Sequence, residues 1–124
     1  MTFELNSIRA FVGAKNYTVS RSFYRDLGFE EKVLSDSLSL FQAGALGFYL
    51  QDYNNKEWLE NTMLFLEVKD VQKRFKDVKA LELDKKYAEI KIMPIKNEDW
   101  GDVFYIIDPA GVLLHIAQFS AEPT

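Results

Sequence analysis

From Glu4 to Val12 polar and apolar residues alternate loosely, and the alternation predicts a strand. Thr18 is then positioned as a helix N-cap. Val19, Phe23 and Leu27 follow at helical spacing, and Gly28 supplies a stop. "FEEKVLS", "SLSLFQAG" and "LGFYLQDY" predict three short strands, with turns at Ser35-Asp36 and Ala43-Gly44. "NNKEWLEN" is a polar link with room for one helical turn.

The order then repeats. "TMLFLEV" predicts a strand and Asp70 a second N-cap. Val71, Phe75, Val78 and Leu81 make an apolar helical stripe. "YAEIKIMPI" predicts a strand whose proline puts it at an edge or on its way out of the sheet. Asn97 to Asp102 predict a polar loop around Trp100. "VFYII" and "VLLHIAQ" predict a hairpin, and Asp108-Pro109-Ala110-Gly111 suits a type I turn between them. Each half thus reads strand, helix, strand, strand, strand. The helix openings also match locally: "AFVGAKNYTVSRSFYRDL" against "LFLEVKDVQKRFKDVKAL". One half alone leaves an apolar sheet face uncovered. Two halves together predict an α+β domain of residues 1–124, with modules at about 3–54 and 62–120 and a concave surface between sheets.

Composition narrows the function classes. The chain is 48% hydrophobic and 27% charged, as a globular protein is. Its net charge of -4 argues against a nucleic-acid partner and is compatible with a neutral or cationic ligand. Ten Phe and six Tyr supply either a Phe-rich core or an aromatic ligand surface. There is no cysteine, so no disulfide or thiolate chemistry. No signal-peptide pattern or membrane-span pattern is visible, so the expected location is the cytoplasm and the "NYT" sequon at Asn16 is expected to be silent.

"SRSFYRDLGFE", "FLEVKDVQKRF" and "WGDVFYIIDPAGVLLHI" together resemble the vicinal oxygen chelate superfamily, from about Ile8 to Phe119. That superfamily includes glyoxalase I, extradiol dioxygenases, and the fosfomycin and bleomycin resistance proteins. The bleomycin resistance type looks closest. The resemblance implies two βαβββ modules and a homodimer with ligand crevices at the subunit interface. It also implies sequestration of a cationic glycopeptide drug without chemistry.

Metal-dependent members hold one divalent ion on His and Glu side chains, because such ligands leave open positions for substrate oxygens. By the resemblance, those positions fall on Ser7, on Tyr49 or Gln51, on Met63 and on His115. One plausible ligand in four is too few, even with Glu67 or Asp52 nearby. With a single histidine, an imidazole acid–base pair is also absent. No metal and no cofactor are expected.

The residues expected to line a pocket are Arg9, Phe11, Tyr49, Met63, Phe65, Glu67, Trp100 and His115. Each has an ordinary structural alternative. Arg9 could pair with Glu67 across the cup, and His115 could be satisfied by a neighbouring side chain or water. Trp100 could anchor a loop, Trp58 could cap the core or meet a partner subunit, and the others could be plain packing. The expected function is metal-free binding of a cationic or aromatic small molecule by a homodimer, with no nucleic-acid or membrane partner. The alternatives are a metal-dependent lyase, isomerase or dioxygenase with an atypical site, and an interaction module whose cup is filled by side chains. The ligand itself is not written in the sequence.

Overall fold

The two long helices start from side-chain caps. In the computed structural model, which describes residues 1–121, α1 spans Tyr17–Leu27. Its cap is Asn16, whose side chain accepts from the Val19 N–H at 3.2 Å. Thr18 lies inside the helix, a correction to the expected cap. Asn16 has the extended backbone a cap requires and caps at least as well as Thr. Gly28 ends α1 at φ 119°, a left-handed conformation that residues with a Cβ adopt at a cost. The short α2 (Lys56–Asn61) links the halves, and Trp58 on it packs over Gly13 and beside Tyr53. α3 (Val71–Ala80) is capped by Asp70, which accepts from the Lys73 N–H at 3.0 Å. Val71 and Val78 are buried, whereas Leu81 falls past the helix end and is exposed.

Each half builds a sheet with the same path. In the first, β1 (Phe11–Val12) lies parallel to β4 (Leu46–Gln51), followed by β3 (Leu38–Ala43) and β2 (Glu30–Ser35), all antiparallel. In the second, β5 (Met63–Glu67) lies parallel to β9 (Leu113–Phe119), which pairs with β8 (Gly101–Ile107). The short β6 (Lys91–Ile92) and β7 (Lys96–Glu98) both pair with β8. One core joins the halves: Phe23, Phe41, Phe48 and Leu50 cluster with Phe104, Ile106, Leu114 and Ile116. The expected two βαβββ modules are therefore present. The last residues of the expected domain, 122–124, lie outside the described residues.

Three expected elements differ. The strand predicted from Glu4 shrinks to Phe11–Val12. The parallel register Phe11↔Tyr49 brings β4 to its first residue opposite Ile8, so residues before that have no partner strand, and Phe3, Leu5 and Ile8 are exposed. The strand predicted over "YAEIKIMPI" breaks up. Tyr87 turns back to α1, its hydroxyl 2.6 Å from both Ser22 Oγ and Asp26 Oδ2, and Pro94 separates β6 from β7. A four-residue α4 (Leu83–Lys86), unforeseen in sequence, precedes it. The loop predicted over Asn97–Asp102 is a hairpin whose tight turn is Asp99-Trp100, with Asn97 opposite Asp102.

A buried carboxylate ties the halves together. Asp108 is 1% exposed and opens the last turn, where Gly111 N–H donates to its carbonyl oxygen at 3.1 Å. Its carboxylate accepts from Ala110 N–H at 2.8 Å, Val112 N–H at 3.0 Å and the buried Tyr24 hydroxyl at 2.6 Å. Burial pushes the Asp108 carboxyl up from the usual range, and burial beside Asp108 pushes the Tyr24 hydroxyl well up.

Glu31 on β2 holds α1 to the first sheet, accepting from Arg21 Nε and an Arg25 guanidinium nitrogen at 2.6 Å each and from Ser39 Oγ at 2.7 Å. Burial alone raises this carboxyl, but the three donors together hold it at about 2. Because the folded value lies below the unfolded one, this stabilisation is present above about pH 4.5 and is lost as pH falls toward 2. Glu31→Gln is expected to cost about 2–3 kcal/mol at neutral pH. In urea titrations, the gap from wild type should close as the buffer is acidified. A gap that stays constant with pH would contradict the assignment.

Candidate functional site

Alternation along β5 sets Leu64 and Leu66 toward the shared core and Met63, Phe65 and Glu67 on the opposite, exposed face. The register Phe65↔His115↔Tyr105 extends that face across the sheet. Rings gather on it. Phe65 has its centroid 5.9 Å from His115, 5.6 Å from Phe119 and 6.0 Å from Trp100. Trp100 lies 5.4 Å from Phe119, and Tyr105 meets His115 edge-on at 5.0 Å. These are ordinary separations for attractive aromatic pairs. Yet the cluster is not sealed: Phe65 is 47% exposed and Trp100 39%. Lys96 stands over the Tyr105 ring at 5.7 Å.

Trp100 is held by the hairpin turn, its carbonyl accepting from Ser120 N–H at 2.9 Å. The next residue must be glycine, because a Cβ at Gly101 would collide with the Gln118 carbonyl oxygen of β9. Gly101→Ala is expected to cost about 2 kcal/mol or more and to displace Trp100, since backbone cannot yield as a side-chain end can. Thermal unfolding and the Trp emission maximum check this; an unchanged melting temperature would contradict it.

The first sheet offers a smaller version. Phe11 and Tyr49 pair with tilted rings, centroids 5.0 Å apart, on the face turned from the core, with Phe11 49% exposed. Phe11↔Tyr49 is the counterpart of Phe65↔His115, because Phe11 stands as far ahead of the Asn16 cap as Phe65 does ahead of the Asp70 cap. This register corrects one expectation. The counterpart of Met63 is Arg9, not Ser7, and Tyr49 rather than Gln51 matches His115.

The four corresponding positions are thus Arg9, Tyr49, Met63 and His115. A guanidinium has no lone pair to give and repels a cation, so this set does not suit a divalent metal. Among the described residues, no group of three or more His, Cys, Asp or Glu is placed to hold one.

Of the eight expected site residues, Phe65, Trp100 and His115 touch as one ring cluster, with Met63 and Glu67 on the same strand face. Phe11 and Tyr49 form a separate pair on the other sheet, and no ring contact links the two groups. The ion pair with Glu67 that was the structural alternative for Arg9 is not formed; Arg9 makes none among the described residues. Tyr105 and Phe119 belong to the cluster and were not expected. Phe119 shares the parity of His115 along β9, so alternation alone would have found it.

No family model matches the sequence, and no curated protein matches it. Solved structures do. A bleomycin-binding protein from bleomycin-producing Streptomyces verticillus, complexed with copper(II)-bleomycin, is 19% identical with a TM-score of 0.78, covering 98% of this chain and 100% of that one. A bleomycin-binding protein complexed with bleomycin is 17% identical with a TM-score of 0.75, covering 90% and 97%. A lactoylglutathione lyase from Agrobacterium tumefaciens is 18% identical with a TM-score of 0.66, covering 90% and 92%.

Proposed function

We propose that this chain, which has the fold of the glyoxalase/bleomycin resistance superfamily, is a homodimeric small-molecule-binding protein that works without a metal. Its ligand is a flat aromatic or cationic compound, held rather than transformed. The observation that carries the reading is the open ring cluster of Phe65, Trp100, His115 and Phe119 on a sheet face turned away from the core. Rings with exposed faces attract both planar aromatics and cations.

Each chain holds two separate half-sites, Phe11 with Tyr49 and the Phe65 cluster. A second copy that set one against the other would make a crevice and cover the exposed side chains Phe11, Met63 and Phe65. Arg9, Tyr49 and Glu67 are then polar handles at its margin, with Arg9 free to meet an anionic substituent. Bleomycin, present in two of the similar structures, is the first compound to test.

A thermal-shift series with bleomycin, proflavine and divalent metals tests the proposal, since binding to the folded state raises the melting temperature. Bleomycin or proflavine should raise it and the metals should not. A purified protein carrying one equivalent of a divalent metal that His115→Ala removes would overturn the proposal.

A further inference from the structure

Next to the ring cluster, with which it shares Phe65, the chain contains a cavity of about 820 Å³ along the free edge of β5. That is the size of a small-molecule site. Its walls are largely aliphatic: Leu27, Leu46, Leu64, Leu66 and Val78 all line it. Two guanidinium side chains reach it, Arg74 and Arg9. Arg74 is already paired with Asp77 at 2.9 Å. Arg9 is different. Its Nε is cut off from water and has no hydrogen-bond partner among the described residues. Unlike Arg74, Arg9 forms no ion pair among the described residues, so its guanidinium is a cation on the cavity wall able to take a charge-assisted partner.

We propose that this cavity binds an aliphatic monocarboxylate, with the hydrocarbon chain against the leucines and the carboxylate on Arg9. A carboxylate matches the planar fork of a guanidinium and is stronger than a neutral acceptor. A single negative charge suits one unpaired arginine with Glu67 nearby, whereas a dianion would be repelled by that glutamate. The aliphatic walls distinguish this occupant from the planar ligand of the ring cluster. The inference goes beyond the proposed function; the two share Arg9, Phe65 and Glu67, and the Trp100→Ala variant, outside the cavity lining, tells them apart.

Isothermal titration of the full chain with decanoate, kept below micelle formation, tests it. Decanoate should bind at least roughly tenfold more tightly than decanol, which has the same tail and no charge. Arg9→Gln should bring decanoate down to the decanol level, while Trp100→Ala should leave decanoate binding as in wild type. Equal affinities for the two probes would overturn the proposal. So would Arg9→Gln binding decanoate as wild type does. Absence of decanoate binding, as when a second copy fills the cavity, would overturn it as well.

Discussion

Asp108→Ala is expected to destabilise the protein by about 3–5 kcal/mol, the largest effect of any single substitution considered. The change leaves three donors unpaired: the buried Tyr24 hydroxyl, the buried Val112 N–H and the partly buried Ala110 N–H. Tyr24 is fully buried and Val112 is too, so water cannot take over. Each orphaned donor costs about 1–3 kcal/mol, partly offset because the buried carboxylate and its desolvation also disappear. The loss falls on both halves, since Tyr24 lies on α1 and Asp108 begins the last turn. Urea unfolding of wild type, Asp108→Ala and Tyr24→Phe checks this. Tyr24→Phe should lose about 1–3 kcal/mol, because it removes one partner and leaves the two backbone bonds. An Asp108→Ala protein within about 0.5 kcal/mol of wild type, the range of an ordinary surface change, would contradict the assignment.

Phe65→Ala is the second large effect, on binding rather than on stability. Phe65 is half exposed, so its removal should cost the fold only about 1 kcal/mol. It is nonetheless the hub of the cluster, in contact with Trp100, His115 and Phe119. Central, rigid aromatic side chains carry most of the affinity of such surfaces. The affinity for proflavine or bleomycin should fall by roughly tenfold to a hundredfold. Direct titration of the folded variant measures it. Unchanged affinity, with unfolding behaviour near wild type, would remove the ring cluster from the binding site.

The repeated element order was legible because it rests on local signals. Gly28, the Asp70 cap and the Asp108–Gly111 turn are where the sequence placed them. Elements that depend on distant partners were not legible. Nothing near Glu4 says that β4 begins only opposite Ile8, and nothing near Tyr87 says that Ser22 and Asp26 draw it back to α1. The cap of α1 was misplaced because Asn16 and Thr18 are both competent, and only backbone geometry chooses between them. The candidate site divides in the same way. Strand parity found Phe65 and His115 on one face. It could not reveal that the two sheets carry separate ring groups, because that follows from which faces the shared core takes. The displacement from Ser7 to Arg9 had chemical consequences: a hydroxyl is a weak metal ligand, while a guanidinium opposes a metal altogether.

Tryptophan fluorescence tests the central claim most directly. In a Trp58→Phe protein, Trp100 is the only tryptophan, and it sits in the ring cluster. Titration with bleomycin and with proflavine should quench Trp100 emission saturably, and Phe65→Ala in the same background should weaken that quenching. Trp100 emission that is indifferent to both compounds would contradict the proposal that this face binds a planar ligand.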